Sequence, residues 1–367
     1  MNCYLDHNAT APLRPEARMA MLAAMDLVGN PSSVHRHGRA ARQLLEQARR
    51  DVAALVGVPA AQIVFTSGAT EANNLALAAA HDGGCAISAV EHESIIGAAS
   101  PATTLIAVDR DGVINADALA DVLATSPQLV SVMAANNETG VKQPVADIAA
   151  AAHQAGALFH CDMVQLAGKQ PLDGTGIDLI SLSAHKIGGP AGVGALVVAP
   201  DLDLAPLLRG GGQEKGRRGG TENLVGIAGF AAAARAACAG FDDFASLRQI
   251  RDGFESALLA TIPAVQIMGR TQDRLVNTSC IALPGVAAAT LVMALDLAGF
   301  SVSAGAACSS GKVERSHVLT AMAVDEWVRD GAVRISLGWD STAGDLDGLV
   351  DACERMYKRA SGEVYHG

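Results

Sequence analysis

The 367-residue sequence has few aromatic residues and no excess of positive charge. Phe, Trp and Tyr make up 3% of the chain, and the formal net charge is −11. Without a basic patch that includes aromatic residues, such an acidic chain is not expected to bind nucleic acid or an anionic membrane surface as its main partner. The chain also lacks a basic segment followed by an apolar run at its start, so no signal peptide is expected.

The cysteines follow no paired pattern. Their odd number and wide spacing fit neither a disulfide framework nor a Cys-x-x-Cys metal site, so no metal site is predicted and a reducing cytoplasm is the expected compartment. Three of them lie in apolar runs and are expected to be small buried hydrophobic residues. These three are Cys85, Cys161 and Cys280, and the others are Cys3, Cys238, Cys308 and Cys353.

Half of the residues are hydrophobic, which is enough for a large core. Over the first 240 residues, short apolar runs such as "QIVFT" and "ALFHCD" alternate with helical patterns, which predicts an α/β domain with a mostly parallel sheet covered on both faces. An Ala-rich helix is expected over about residues 221–240. The predicted large domain spans residues 16–240, and a smaller α+β domain comprises residues 1–15 and 241–367. The uncharged stretch 278–295 contains Pro284-Gly285, so it predicts strand, turn and helix rather than a membrane span.

The segment "IVFTSGATEANN" places a glycine turn between a strand and a helix. The first N–H groups of a helix have no intrahelical partner and carry the positive end of the dipole, so Ala69 and Thr70 are candidates to bind a phosphate. The alternative is an ordinary helix start, with Ser67 as N-cap and Glu71 near a capping position.

Two further polar residues follow buried strands. Lys186, in "DLISLSAHKIGGPAGVG", is at the edge where open α/β sheets bind ligands, and burial there would make its amine a nucleophile toward carbonyl groups. Asp162, in "ALFHCDMVQLAG", could keep a pyridine nitrogen protonated. The alternatives are a solvated lysine at a strand end and an aspartate that caps a turn. Taken together, the candidate phosphate-binding helix start, Lys186 and Asp162 predict a pyridoxal 5′-phosphate site.

The whole set of motifs resembles the cysteine desulfurases, which belong to the class V aminotransferase group of fold-type-I pyridoxal-phosphate enzymes. The motifs are "SGATEANN", "EHESI", "NNETG", "CDMVQ", "SAHKIGGPAGVG", "RRGGTEN" and "GAACSSG". The resemblance covers nearly the whole chain, from "YLDHNAT" to "VRISLG", in unbroken order. It implies conversion of L-cysteine to L-alanine, with pyridoxal 5′-phosphate as cofactor.

The resemblance also implies which residues surround the cofactor. Those at the phosphate end are Ala69, Thr70, Ser183 and His185, joined by Thr221 of the neighbouring subunit in a homodimer. Those around the pyridine ring are His92, Asn137, Asp162 and Gln165. In this scheme His92 stacks on the ring, and Asp162 pairs with its nitrogen. Without the resemblance, His92 would be read as an ordinary core or surface histidine, and Thr221 as the N-cap of a helix that begins with Glu222.

The resemblance assigns the remaining catalytic roles as well. Lys186 bonds covalently to the cofactor and removes the substrate Cα proton. Arg334 binds the substrate carboxylate through both ends of its guanidinium group, and Asn30 assists it. The alternative for Arg334 is a surface ion pair.

Cys308 lies among small residues in "SAGAACSSGKVERSH". A phosphate-binding P-loop is excluded there, because five residues rather than four separate Gly305 from Gly311 and Lys312 is followed by Val313. The resemblance makes Cys308 the nucleophile that takes sulfur from the substrate as a persulfide. It then passes the sulfur to an acceptor, such as a scaffold for iron–sulfur cluster assembly. The alternatives are a selenocysteine lyase or another class V enzyme, or a non-enzymatic sulfur-carrier or scaffold subunit.

Overall fold

The structure is a computed structural model that describes residues 3–80, 84–304 and 315–362. Its main feature is a seven-stranded sheet with the strand order β2-β8-β7-β6-β5-β3-β4. The strands of this sheet are β2 (Ile63–Thr66), β3 (Cys85–Ser88), β4 (Thr104–Ile106), β5 (Leu129–Ser131), β6 (Leu158–Asp162), β7 (Leu179–Ser183) and β8 (Gly194–Val198). Only β8 runs antiparallel to its neighbours, so the predicted mostly parallel sheet is confirmed.

Helices cover both faces of this sheet. The helices of the described residues are α1 (Pro15–Met25), α2 (Arg36–Leu55), α3 (Ala69–Leu77), α4 (Glu93–Ile96), α5 (Ala116–Leu123), α6 (Val145–Gln154), α7 (Leu224–Ala239), α8 (Phe241–Thr261), α9 (Ala288–Leu297), α10 (His317–Ala321), α11 (Glu326–Gly331) and α12 (Leu349–Ser361). Most of the Ala-rich α7 is buried, because its small side chains let α1 and α2 pack closely against it. The α2 helix is amphipathic, and residues such as Leu45 and Val52 face the core.

A second, antiparallel sheet has the order β12-β13-β10-β9. Its strands are β9 (Gln266–Ile267), β10 (Thr278–Ala282), β12 (Ser303–Ala304) and β13 (Ala332–Ser336). The N-terminal β1 (Cys3–Tyr4) pairs in parallel with β11 (Phe300–Ser301), so the start of the chain lies with its C-terminal part. The apolar stretch near residue 280 forms β10, a turn and α9, as the sequence predicts.

The chain has two large hydrophobic clusters, and the helices on either side of Gly240 pack in different ones. Residues of α7 such as Phe230 pack in the cluster beneath the large sheet, whereas Phe244 and Leu258 of α8 pack with Leu5 and the second sheet. The domain boundaries predicted from the sequence, at residues 15/16 and 240/241, stay a prediction.

Among the described residues, no single helix has both the length and the apolar composition of a membrane span. The pair α7 and α8 meets that test only when the two helices are taken together across a bend of 68°.

Candidate active site

A cavity of ≈430 Å³ opens at the carboxyl ends of the parallel strands of the large sheet. The segments that follow β2, β3, β5, β6 and β7 all reach it, because parallel strands end at the same edge of a sheet. The predicted site residues that line it are Ala69, Thr70, His92, Asn137, Asp162, Gln165, Ser183, His185, Lys186 and Arg334. Tertiary folding therefore brings together residues that lie up to 265 positions apart in the sequence.

The N-terminus of α3 forms one wall of the cavity. The N-cap is Gly68, at φ 153°, and no side chain caps the helix, so the alternative of an ordinary helix start capped by Ser67 is wrong. Ser67 instead donates through its N–H and hydroxyl groups to the Glu71 carboxylate, at 2.8 and 2.5 Å. Among the described residues no group accepts a hydrogen bond from the N–H of Ala69 or Thr70. These two donors, at the positive end of the helix dipole, can bind an anion.

Lys186 follows β7 and points toward the N-terminal segment of the chain. Its Nζ donates to the main-chain carbonyls of Asn8, at 2.6 Å, and Ala9, at 2.8 Å. Burial lowers the pKa of Lys186 to about 8, and the positive charge of Arg334 contributes to the shift. The solvated lysine considered from the sequence is therefore wrong, and a useful fraction of this amine is neutral and nucleophilic near neutral pH.

Asp162 ends β6 with both carboxylate oxygens engaged. Oδ2 accepts from Asn73 Nδ2 at 2.8 Å, and Oδ1 accepts from the Val164 N–H at 2.9 Å. The bond from the Val164 N–H is the turn cap that was the alternative role for Asp162. Capping this turn and pairing with a pyridine nitrogen are compatible roles for one carboxylate. Asp162 is 5% exposed and places a fixed carboxylate in the cavity wall.

Both histidines of the cavity favour the neutral form. Burial lowers the pKa of His92, and Lys186 adds to this effect while Asp162 opposes it. Burial also lowers the pKa of His185 to about 4, together with Lys186 and His92. The His92 Nδ1 accepts from the Ser94 N–H at 3.1 Å, so a neutral His92 ring carries its proton on Nε2.

Arg334 enters the cavity from β13 of the second sheet and is 1% exposed. Its Nη2 donates to Asp6 Oδ1 at 2.6 Å, and its Nη1 donates to the Asn137 carbonyl at 2.9 Å. Its Nε is buried without a hydrogen-bond partner among the described residues. The surface location considered from the sequence is wrong, because the guanidinium is buried, where it pairs with Asp6.

The chain matches the family model described as aminotransferase class-V over residues 3–349. It is 45% identical to a cysteine desulfurase of Cereibacter sphaeroides over 364 residues, which cover 95% of this chain and 94% of that protein. It is 36% identical to an IscS-like cysteine desulfurase of Mycobacterium tuberculosis, with 97% and 96% of the two chains covered. The structure matches a NifS-like protein from Rickettsia africae with a TM-score of 0.91, at 36% identity, over 98% of this chain and all of the other.

The chain belongs to the class-V aminotransferases, among the cysteine desulfurases. This confirms the family resemblance, the fold-type-I α/β architecture and the enzymatic function that the sequence predicts. Membership of the family implies the use of pyridoxal 5′-phosphate.

The cavity of this cysteine desulfurase fits that cofactor. The free N–H groups at the start of α3 suit a phosphate, and the fixed Asp162 carboxylate suits a protonated pyridine nitrogen. Lys186 supplies an amine whose lowered pKa suits covalent attachment to a carbonyl group. The glycine turn leaves room for the ligand, since a Cβ on Gly68 would have no heavy atom within 4 Å.

Two predicted residues of the desulfurase, Thr221 and Asn30, do not line the cavity. Thr221 is exposed and does not line the cavity, and its alternative role as a helix cap is wrong because α7 begins at Leu224 with Asn223 as N-cap. Asn30 is also exposed, and its Oδ1 accepts from the Ser32 N–H at 2.9 Å. Cys308 lies outside the described residues. The roles predicted for these three stay predictions.

The cysteines of the described residues are free thiols, and most are poor nucleophiles. Burial raises the pKa of three of them to about 12, which leaves almost no thiolate at neutral pH. These are Cys85, Cys280 and Cys353. Burial also raises the pKa of Cys161, which is completely enclosed, and that of Cys238.

Asn8 and Asn73 are among the cavity-lining residues that were not predicted from the sequence. Asn73 lies three residues after Thr70 on the same face of α3, so helical spacing could have found it. No local pattern marks Asn8. Its partners come from distant segments, including Asn137, Gln165 and Thr278.

Proposed function

We propose that this cysteine desulfurase binds pyridoxal 5′-phosphate and L-cysteine in the ≈430 Å³ cavity and transfers the substrate sulfur to Cys308. The observation that carries the proposal is that an anion-binding helix start, an amine of lowered pKa, a fixed carboxylate and an arginine line one cavity. The predicted cytoplasmic location remains a prediction.

In this proposal the cofactor phosphate binds at the start of α3. Ala69 and Thr70 would donate their main-chain N–H groups to it, and Ser183 and His185, which line the same cavity, would complete the phosphate site. His185 donates one N–H from a neutral ring, since its pKa of about 4 excludes a charged form at pH 7. His92 would pack against the pyridine ring of the cofactor, and Asn137 and Gln165 would hold the side of the ring that carries its oxygen.

Substrate binding and proton transfer are assigned to different residues of the chain. Arg334 binds the substrate carboxylate through both ends of its guanidinium group, using N–H groups that remain after one N–H of each Nη has donated to Asp6 or Asn137. The predicted assistance of Asn30 in this binding stays a prediction, because Asn30 does not line the cavity. Lys186 Nζ removes the substrate Cα proton and returns it later. At pH 7 roughly a tenth of an amine with this pKa of about 8 is neutral and able to do so. Bound pyridoxal phosphate supplies the electron sink that makes the Cα proton acidic.

The sulfur leaves through Cys308. Its thiolate attacks the substrate sulfur, so that an S–S bond forms and the C–S bond breaks with its electron pair left on the substrate carbon. Protonation of that carbon gives alanine, and His92 Nε2 carries a proton that could be used here. The persulfide on Cys308 is then attacked by an acceptor thiol, and the acceptor is a component of iron–sulfur cluster assembly.

The proposed function is tested by mixing the purified protein with pyridoxal 5′-phosphate, L-cysteine and a thiol reductant. We expect visible absorbance from the bound cofactor, together with alanine and sulfide in equal amounts. Cofactor absorbance without either product would contradict the desulfurase proposal while leaving the cofactor site intact. L-Selenocysteine as a parallel substrate measures the preference between the two amino acids.

The Asp162→Asn variant is expected to keep the cofactor but to lose most of its turnover. An opposite charge close to the pyridine nitrogen raises that nitrogen's pKa by about 1–3 units, so its loss should lower turnover by about 10- to 1,000-fold. Alanine release at saturating L-cysteine measures the effect. The control is Asp178→Asn. Asp178 immediately precedes β7, at the end of that strand away from Lys186, and pairs with His153. Parental turnover in Asp162→Asn would refute the role.

We also propose that the protein is a homodimer in which Thr221 of each subunit reaches the phosphate of the neighbouring site. The exposed position of Thr221 outside its own cavity is consistent with this. Near it, Gln213 Oε1 and Glu222 Oε2 are buried without hydrogen-bond partners among the described residues. Large apolar side chains are also exposed around α1, and such a surface is typical of an interface. They are Leu13, Met19, Leu22, Met25, Val28 and Val34.

The dimer proposal predicts that Leu22→Asp combined with Met25→Asp shifts the protein to monomers, because charges would be buried at the interface. Sedimentation velocity measures the change, and cofactor binding should weaken with it. The control is Leu105→Asp, since Leu105 is 59% exposed on β4, away from α1. A parental protein that is monomeric and fully active would remove both the dimer and the role of Thr221.

A further inference from the structure

Lys169 is a buried lysine beside the cavity, with no role in the proposed reaction. It is 7% exposed and follows Gly168, whose φ is +74°. A Cβ on Gly168 would lie 2.6 Å from Ile187 Cγ2, so only glycine lets this turn pack directly against the residue after Lys186. The turn thereby places the Lys169 side chain close to the attachment point proposed for the cofactor.

The Lys169 amine has two hydrogen-bond partners, and both are amide oxygens. Its Nζ donates to Asn8 Oδ1 at 2.8 Å and to Gln165 Oε1 at 3.2 Å. Within residues 3–80, 84–304 and 315–362, it forms no ion pair with a carboxylate. A neutral amine has two N–H groups, which these two acceptors satisfy, whereas an ammonium group would bury a third donor without a partner.

The charged groups around Lys169 also favour the neutral amine. Burial lowers the pKa of Lys169 well below its usual value, and the positive charges of Lys186 and Arg334 lower it further. On the N-terminal segment, His7 lies close enough to Lys169 for charges on the two groups to interact. A third positive charge between Lys186 and Arg334 would be costly in a buried site.

Asn8, the main partner of Lys169, connects the two halves of the site. Its side chain accepts from Lys169 and Asn277, and it donates to Thr278 and to the Asn137 carbonyl. Its own main-chain carbonyl accepts from Gln165 Nε2 at 2.9 Å and from Lys186 Nζ at 2.6 Å. The position of this carbonyl therefore depends on how the Asn8 side chain is held.

We propose that Lys169 is a positioning residue which, as a neutral double donor, links the Asn8 side chain to Gln165 and thereby holds the Asn8 carbonyl in place for the Lys186 amine. Lys169 thus acts through Asn8 and Gln165, which line the cavity. The effect of Lys169 on catalysis depends on the proposed role of Lys186. The hydrogen bonds of Lys169 do not depend on it.

Two variants separate hydrogen bonding from charge. Lys169→Met keeps a long unbranched side chain without any donor, and Lys169→Gln restores two N–H donors without a positive charge. Lys142→Met is the control, because it removes a lysine that pairs with Asp273 away from the cavity. Thermal unfolding of each variant reports whether the fold is retained.

Hydrogen–deuterium exchange of the cofactor-free protein measures the positioning. We expect the peptide that contains residues 5–11 to exchange about threefold to tenfold faster in Lys169→Met, because two hydrogen bonds to this network are lost. Lys169→Gln and the Lys142→Met control should exchange at the parental rate. Parental exchange in Lys169→Met, or equally fast exchange in Lys169→Met and Lys169→Gln, would overturn the proposal.

The pH profile of Lys186 carbamylation by cyanate shows whether Lys169 carries a positive charge. The parental midpoint is expected near the Lys186 pKa of about 8. If Lys169 is neutral, neither Lys169→Met nor Lys169→Gln raises this midpoint. If Lys169 carries a positive charge, its removal raises the midpoint by about one unit and slows the reaction about tenfold at pH 7, which would overturn the proposal. Should Lys169→Met fail to fold, Lys169→Gln alone decides the question by the same profile.

Both readouts use cofactor-free protein and require no turnover. A protein that binds no cofactor, or releases no alanine, would contradict the proposed function and leave the Lys169 result unchanged. Conversely, an overturned role for Lys169 would not affect the assignment of Lys186.

Discussion

The Cys308→Ser variant is expected to bind pyridoxal 5′-phosphate and L-cysteine normally and to release neither alanine nor sulfide. Cofactor binding does not need the thiol, but a hydroxyl group cannot take sulfur from the substrate. We expect alanine and sulfide formation to fall by at least about 10³-fold, the scale of loss when a catalytic nucleophile is removed. Both products are measured together in the presence of a thiol reductant, and the spectrum of the bound cofactor is recorded alongside.

The other cysteines provide the control for this experiment. Cys238→Ser changes a partly buried thiol in α7, whose pKa is raised by burial, and should retain parental rates. Parental alanine formation by Cys308→Ser would mean that sulfur leaves by a route that does not involve this residue. Mass spectrometry of the parental protein after brief exposure to L-cysteine should then find the additional sulfur on another thiol.

The Lys186→Ala variant is expected to lose covalent attachment of the cofactor together with activity. Its amine is the one that lines the cavity with a pKa lowered to about 8, and alanine supplies neither a nucleophile nor a base. The loss of a general base alone lowers rates by about 10²- to 10⁴-fold, and loss of covalent attachment adds to this. Borohydride reduction followed by peptide mapping should locate the pyridoxyl group on Lys186 in the parental protein.

Two other lysines serve as controls for the attachment site. Lys142 pairs with Asp273, and Lys215 donates to the Ala61 carbonyl at 2.9 Å, and neither lines the cavity. Their alanine variants should retain the visible spectrum and the parental rate. A pyridoxyl group found on Lys142 or Lys215 in the parental protein would refute the assignment of Lys186.

The sequence alone determined the order of the elements and the family. Continuous apolar runs such as "QIVFT" and "ALFHCD" have the length and composition of buried strands, and these two coincide with β2 and β6. Residues at the ends of these runs share one edge because the strands are mostly parallel. Ala69, Asp162 and Lys186 could therefore be assigned to one site before any contact was known.

Details at helix starts were less predictable, because several polar residues compete for each cap. Ser67 was the alternative cap for α3, yet it donates to Glu71, and Gly68 is the N-cap. Likewise, α7 begins three residues later than Thr221, with Asn223 as its cap. Local sequence offers more than one satisfactory set of hydrogen bonds at such positions, and packing selects among them.

Only the tertiary structure decided the environment of the buried charges. The pKa of a lysine depends on how much water surrounds it and on which charges lie near it, and neither is written in the adjacent sequence. Lys186 and Lys169 owe their lowered pKa values to burial and to positive neighbours such as Arg334, which lies far along the chain in β13. Asn8 has its role for the same reason, since its partners meet only when both sheets are in place.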